Sequence, residues 1–297
     1  MHKEIYSKFR NIEDSKWINM VFQSVDSELI EGVKFPGFPD DNIQLRMIGS
    51  YGKGALYEPK MMYQEIRRIA VKCKMQFDEK TILLDFACGY GRNVRFFMKD
   101  IFPGNLFGSD VCPDFVEICR NTFASTDNYN EILFSVNNPF PPLSFDDKSI
   151  NIIMAYSLFS HLSEDVSLAW LKEFYRILKQ DGLLFLTLCQ QNFLNLSKNL
   201  LLANNHDANN HDINDYEKLI AKQFGDTSIQ ERYNNGEYIF YPSGGGGVLT
   251  SDFYGNTVIP DKYIYNKWAG SFDIIEHYDD PSKLPQAFIC LSLLCPR

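Results

Sequence analysis

The chain has 297 residues, 45% of them hydrophobic and 23% charged, and it carries a net charge of −9. That length and apolar content give a folded chain with a sizeable core. The acidic balance disfavours a protein that tracks phosphate backbones, which needs a basic face, and no run of about 18 apolar residues is present to cross a bilayer.

Taken in chain order, the opening MHKEIYSKFRNIEDSKW has no apolar core for a signal peptide, which predicts a cytoplasmic protein. Residues 1–60 are mixed, with turn signals at FPGFPDD (35–41) and GSYGKG (49–54), and read as an N-terminal extension or cap ahead of a main domain at 61–297. From about Glu58 to Lys74 the apolar positions Met61, Met62, Ile66, Ile69, Ala70 and Cys73 follow a helical period. Arg67, Arg68, Lys72 and Lys74 read as its solvated basic face.

Strand then alternates with helix. KTILLDFA (80–87) reads as a buried strand, RNVRFFMKDI (92–101) as a helix, NLFGSD (105–110) as a strand and PDFVEICRNTF (113–123) as a helix. EILFSV (131–136) and INIIMAYS (150–157) are strands, SEDVSLAWLKEFYRILK (163–179) is a helix and GLLFLTLC (182–189) a strand. In the 163–179 helix Ser163 can cap, Glu164 and Asp165 suit the positive end of the dipole, and Asp181-Gly182 supplies a stop. Val166, Trp170, Leu171, Phe174, Ile177 and Leu178 make its apolar stripe. Continuous rather than alternating hydrophobic strands between helices predict an α/β fold with a parallel sheet covered on both faces.

The alternation stops near Cys189. Residues 190–250 are polar and Asn-rich, with the near repeat NNHDANNHD (204–212), and SGGGG (243–247) reads as a hinge or a loop of unusual dihedrals. His206-Asp207 and His211-Asp212 recur five residues apart, and read as part of a solvated insertion rather than a metal site. SFDIIEHY (271–278) and QAFICLSLLC (286–295) close the chain as strands. The seven cysteines, Cys73, Cys88, Cys112, Cys119, Cys189, Cys290 and Cys295, are odd in number and form no CxxC. They read as reduced core residues, with no metal expected.

LLDFACGYGR (83–92) carries the chemistry. A buried strand reaches Asp85 and then drops into two glycines, Gly89 and Gly91. In doubly wound sheets ligands sit beyond the carboxyl ends of the strands, and glycine lets backbone N–H groups approach them. Asp110 follows Gly91 by 19 residues, where an acid accepts hydrogen bonds from ribose hydroxyls. A dinucleotide fingerprint would need a third glycine, and that position is Val94. Asp85 would repel a pyrophosphate but suits a cation, such as the ammonium and sulfonium of S-adenosylmethionine. A turn that merely joins strand and helix is the plainer alternative.

LLDFACGYGRNVRFF, GSDVCPDFVE and the run PFPPLSFDDKSINIIMAYSLFSHLSEDVSLAWLKEFYRILKQDGLLFLTL together resemble class I S-adenosylmethionine-dependent methyltransferases. The nearest resemblance is to a bacterial branch with an LDFGCGxGR turn and an SVFTHL segment, with a weaker echo at YGNTVIPDKYIYNKWAGSFDII. The resemblance implies a Rossmann-like, doubly wound, mostly parallel seven-stranded sheet, with a late insertion at about 190–265 forming a substrate cap. It implies that Gly89 and Gly91 face the methionine part of the cofactor, that Asp85 holds the turn or the ammonium, that Asp110 meets the ribose and that Asn137 and Asn138 fall at the adenine edge, with Ala87, Cys88 and Val111 also among the cofactor-binding residues. Tyr156 and Ser157 would lie under the sulfonium. Ala87 replaces a usual glycine, and Asn151 stands where an aspartate usually begins the fourth strand.

His161, in SLFSHLSE, reads either as the base or acceptor-binding residue of methyl transfer or as a histidine that only caps and packs. Tyr254 and Tyr265 read as members of a substrate lid, whose aromatic rings either stack on sugars or simply pack. Trp17, Trp170 and Trp268 read as structural. The branch with SVFTHL is often associated with cell-surface glycan synthesis, which by analogy implies a small-molecule or glycan acceptor, with no nucleic acid. Three alternatives remain at this point: a methyltransferase acting on protein or RNA, a non-catalytic cofactor-binding protein, and a nicotinamide oxidoreductase.

Overall fold

The computed structural model describes residues 1–124, 132–206 (backbone only at 204–206) and 214–294. The repeat at 207–212 and its side chains, Glu131 and Cys295 lie outside the described residues. The chain divides into two compact units, one of Met1–Asn138, Leu143–Met154 and Ile177–Gly182, the other of Pro139–Pro142, Ala155–Arg176 and Leu183–Arg297.

In the first unit, helices α1 (His2–Phe9) and α2 (Asp14–Gln23) precede a short hairpin of β1 (Leu29–Ile30) and β2 (Val33–Lys34), then α3 (Asp41–Ile48) and α4 (Tyr57–Lys72). The N-terminal segment is packed, not loose. Phe9, Trp17 and Phe35 form a buried aromatic cluster, and the Trp17 indole donates to the Phe96 carbonyl at 2.7 Å. α4 buries Met62, Ile66, Ile69 and Ala70, as its period predicts, and Tyr63 with them, while Met61 and Cys73 are half-buried.

Its basic face is not wholly solvated. Arg67 turns inward to Asp14 (3.1 Å) and Asp100 (3.3 Å), while Lys99, only 1% exposed, bonds the same two acids at 2.8 and 2.9 Å. Asp100 also accepts from the Tyr63 hydroxyl at 2.8 Å. A buried ion network resists the loss of one member far less than the loss of all. Lys99→Met is expected to lower unfolding stability by about 3 kcal/mol or more, read from urea melts of the two proteins.

The sheet begins with β3 (Leu83–Phe86), β4 (Leu106–Asp110), α5 (Pro113–Phe123), β5 (Leu133–Val136) and β6 (Ile150–Ala155). Instead of the helix expected over 92–101 there is a single 3₁₀ turn at Val94–Phe97. Asn93 through Asp100 are all buried, and the Trp17 indole takes the Phe96 carbonyl that a continuing helix would use. Asn151 acts structurally at the start of β6: its Oδ1 accepts from the Ile82 N–H (3.0 Å) and the Lys179 ammonium (2.9 Å).

α6 (Glu164–Ile177) runs directly into β7 (Leu178–Leu188). Asp181-Gly182 therefore lies inside the strand and is not the helix stop read from the sequence. Gly182 is needed for close approach, since a Cβ there would stand 2.7 Å from Leu178 and 3.0 Å from the Asn151 carbonyl.

The insertion follows in the second unit: α7 (Gln191–His206), α8 (Asp215–Phe224), α9 (Thr227–Asn235), and the hairpin of β8 (Ile239–Pro242) and β9 (Gly255–Val258). It has its own apolar nucleus of Leu194, Ile220, Phe224, Ile229, Ile239 and Val258. The glycine run bridges the hairpin, with Gly244, Gly246 and Gly247 at positive φ, as an unusual loop requires. Helix α10 (Asp261–Lys267) and strands β10 (Phe272–Tyr278) and β11 (Ala287–Leu293) complete the chain.

The seven strands order as β10-β11-β7-β6-β3-β4-β5. β3 pairs in parallel with β4 and β6, and β4 with β5, while β11 is antiparallel to β7 and β10. β3, β6 and the second half of β7 are almost continuously buried, whereas β5, at the edge, exposes three of its four residues. Because β4 lies on one side of β3 and β6 on the other, the strand order reverses at β3, and the carboxyl end of β3 is the switch point. Trp17, Trp170 and Trp268 are all buried. Six free cysteines and no disulfide occur among the described residues, and there no helix is long and apolar enough to cross a membrane.

Candidate active site

The glycine turn emerges from β3 at that switch point. Ala87, Gly89 and Gly91 take φ of 60°, 54° and 78°, and the turn is hooked to β4 by the Cys88 N–H, which donates to the Ser109 carbonyl at 3.0 Å. At Gly91 a Cβ would meet the Phe123 ring at 2.8 Å, so the missing side chain makes room for α5. At Gly89 a Cβ would come within 3.3 Å of the Met47 methyl, which places α3 of the N-terminal segment over the turn. Cys119 adds a thiol hydrogen bond to the Gly89 carbonyl at 3.2 Å.

Ala87, which replaces a usual glycine, is an L-residue in the left-handed region and is strained by about 1–2 kcal/mol. Ala87→Gly is expected to raise stability by up to about 1 kcal/mol after the extra chain entropy of glycine is counted. Thermal melts of the two proteins would show it.

Two carboxylates frame the turn. Asp110, at the end of β4, accepts from the Gly89 N–H through one oxygen and from the Cys112 N–H through the other, both at 2.9 Å. Burial raises its pKa, and the Cys112, Gly89 and Val111 amides oppose the rise. Each oxygen keeps a further lone pair for an outside hydroxyl. Asp85, opposite Gly108 of β4 and Met154 of β6, is fully buried, and neither of its oxygens has a hydrogen-bond partner. Burial pushes its pKa well above the carboxylate range; Arg92 pulls the other way and Asp110 adds to the rise.

Past β5, Asn137 donates its backbone N–H to the Asp110 carbonyl at 3.0 Å, and its side-chain carbonyl accepts from Ser109 at 2.6 Å. Asn138 is exposed and Val111 half-buried. The ends of β3, β4 and β5 thus bring Asp85, Ala87, Cys88, Gly89, Gly91, Asp110, Val111 and Asn137 to one neighbourhood.

In the second unit, Tyr156 and Ser157 follow β6. Ser157 has φ 56°, a second strained non-glycine at a strand end. Its N–H donates to Thr187 Oγ1 (2.7 Å), Thr187 donates to Gln286 (2.7 Å), and Gln286 donates to the Ser157 hydroxyl (2.8 Å), which closes a ring.

His161 Nδ1 lies 2.8 Å from the Gly255 carbonyl. A carbonyl only accepts, so Nδ1 carries the proton and Nε2 keeps its lone pair. Burial lowers the pKa of His161, and the Gly255 carbonyl opposes that shift. The imidazole stacks on Tyr254 with centroids 5.2 Å apart and planes 14° from parallel.

Tyr265 does not join this pair: it is 54% exposed and its ring meets His277. One group escaped the sequence reading. Tyr216 of α8, although 50% exposed, feels the Cys189 thiol and the Tyr254 phenol, and partial desolvation with those neighbours pushes it up to about 12. Burial also pushes Cys189 up to about 12. No periodicity or motif marks Tyr216, which owes its place to the fold of the insertion, whereas Cys189 ends the apolar run GLLFLTLC read as a strand. Among the described residues no group of three His, Cys, Asp or Glu side chains is placed to hold a metal ion.

Residues 83–182 match a family of methyltransferase domains. That stretch is a methyltransferase domain. A search of the curated proteins finds no match. Among solved structures, the chain is similar to an S-adenosylmethionine-dependent methyltransferase from Clostridium acetobutylicum, with a TM-score of 0.49, 12% identity and coverage of 85% of this chain and 96% of the other. An S-adenosylmethionine-dependent methyltransferase from Methanosarcina mazei gives a TM-score of 0.45 and 17% identity over 73% and 95% of the two chains. The glycopeptide N-methyltransferase MtfA, complexed with sinefungin, gives 0.45 and 11% over 78% and 94%.

The residues at the turn fit S-adenosylmethionine. Asp85 is a buried acid with two unpartnered oxygens, for which a ligand ammonium would supply charge and donors. Asp110 retains acceptor capacity beside the amides of the turn.

Proposed function

We propose that this methyltransferase moves the methyl group to an oxygen or nitrogen of a small-molecule or glycan acceptor. The observation that carries the reading is the Asp110 carboxylate locked to the Gly89 amide at the switch point, with the buried Asp85 behind the same turn. When bound, S-adenosylmethionine supplies an already activated methyl on its sulfonium. Asp110 holds the ribose, Asp85 the ammonium, Gly89 and Gly91 the methionine backbone, and Asn137 and Asn138 the adenine edge.

His161 removes the acceptor's proton through Nε2. Its fixed tautomer leaves that lone pair free, and its lowered pKa keeps the ring neutral. Tyr254, stacked on His161, and the insertion that carries Tyr216 bind the acceptor, with Tyr265 as a further member of the lid. The net charge of −9 supports a small-molecule or glycan acceptor over RNA.

The test couples titration of S-adenosylhomocysteine with transfer of labelled methyl to panels of sugars and glycans, peptides and RNA. Micromolar binding with label in the sugar or glycan panel supports the reading. Label confined to peptides or RNA overturns the acceptor class, and no binding by folded protein overturns the cofactor site.

A further inference from the structure

Asp85 poses a problem that the reading above does not solve. Its carboxyl group is fully buried at the end of β3, and neither oxygen has a donor. An ionised carboxylate in that position would lack both solvent and hydrogen bonds, which costs several kcal/mol. The charged groups that face it do not resolve the matter. Arg92, from the turn, attracts the ionised form, but Asp110, from β4, is a second buried acid and repels it. Cys88, between them, is a buried thiol whose pKa is raised by its hydrogen bond to Cys119, by burial, and by the fields of Asp85 and Asp110, so it offers no positive charge. The surroundings of Asp85 favour the neutral acid when nothing cationic is present.

We propose that Asp85 carries a proton in the empty methyltransferase and releases it to solvent when the cofactor's ammonium arrives. The inference rests on the cofactor site proposed above. In the step the O–H bond of the Asp85 carboxyl breaks, the proton passes to buffer, and the ammonium keeps its own three protons and becomes the donor that the carboxylate lacks. The bound state holds a buried ion pair, the empty state a neutral acid, and neither holds a bare buried charge. Entry is thereby selective for a cationic amino acid moiety over the neutral or anionic nucleosides that Asp110 alone would accept.

Calorimetry tests it directly. S-adenosylhomocysteine is titrated at pH 6.5, where its ammonium is charged, in buffers of different ionisation enthalpy, and the slope of observed heat against buffer enthalpy counts protons. About one proton released per ligand bound is expected, with Kd tightening ~10-fold per pH unit between pH 5.5 and 6.5. Asp85→Asn is expected to bind more weakly, with neither dependence. Binding without proton release, or equal release by Asp85→Asn, overturns the proposal while leaving the cofactor site intact. Absence of binding by the wild type overturns the site itself.

The empty protein gives a second readout should Asp85→Asn not bind. An acid whose folded pKa is raised keeps its proton while the unfolded chain ionises above about 3.8, so ionisation favours unfolding as pH rises through that window. The wild-type Tm is therefore expected to fall relative to Asp85→Asn as pH rises from 4 to 7. Parallel Tm curves would show an Asp85 that is already ionised, and would overturn the proposal.

Discussion

Asp110→Ala loses binding of S-adenosylhomocysteine by at least two orders of magnitude. The carboxylate has two tasks in the proposed complex. It accepts from the ribose hydroxyls, and each such charge-assisted bond contributes about 1.5–3 kcal/mol. It also holds the Gly89 and Cys112 amides at 2.9 Å, so its removal loosens the turn on which the rest of the cofactor lies. Asp110→Asn separates the two tasks. The amide keeps one acceptor oxygen but loses the charge, and an intermediate affinity is expected. Titration calorimetry of the three proteins checks the series, and wild-type affinity in Asp110→Ala would remove this residue from the site.

His161→Gln leaves the affinity for S-adenosylhomocysteine unchanged and lowers methyl transfer by about 10²–10⁴-fold, the usual contribution of a general base. Glutamine can still donate to the Gly255 carbonyl, so the local fold is kept, but it cannot take a proton. The pH profile gives a sharper readout. Burial lowers the His161 pKa, so the neutral base persists to more acid solution than an ordinary histidine, whose pKa is about 6.5. Transfer is therefore expected to be flat through neutral pH, with an acid limb below that ordinary value that disappears in His161→Gln. A merely packing histidine would change stability and leave the profile alone.

The sheet was legible because its strands announce themselves. Leu83–Phe86 and Ile150–Ala155 are apolar but for Asp85 and Asn151, and near-continuous apolar runs mark strands buried on both faces. The glycine turn and Asp110 were legible for a related reason: their spacing is fixed by one strand, one turn and the next strand. Segments whose shape depends on partners far along the chain were not. The 92–101 stretch looks helical until Trp17, 79 residues upstream of Phe96, claims its carbonyl. Arg67 looks solvated until Asp14 and Asp100 arrive. Tyr216 and Met47 gain their places from tertiary contacts that leave no local pattern. Gly182 was read as punctuation, and only the fold shows a position where a methyl group would collide with Leu178.

The apolar nucleus inside the insertion has a consequence for how the protein opens. Leu194, Ile220, Phe224, Ile229, Ile239 and Val258 pack on one another, so α7 to α9 and the β8–β9 hairpin can melt and re-form as one cooperative unit. Amides there would exchange with solvent together and faster than those of β3, β6 and β7. A segment that melts on its own puts its residues, Tyr216 among them, on a stability scale separate from that of β3 and β6.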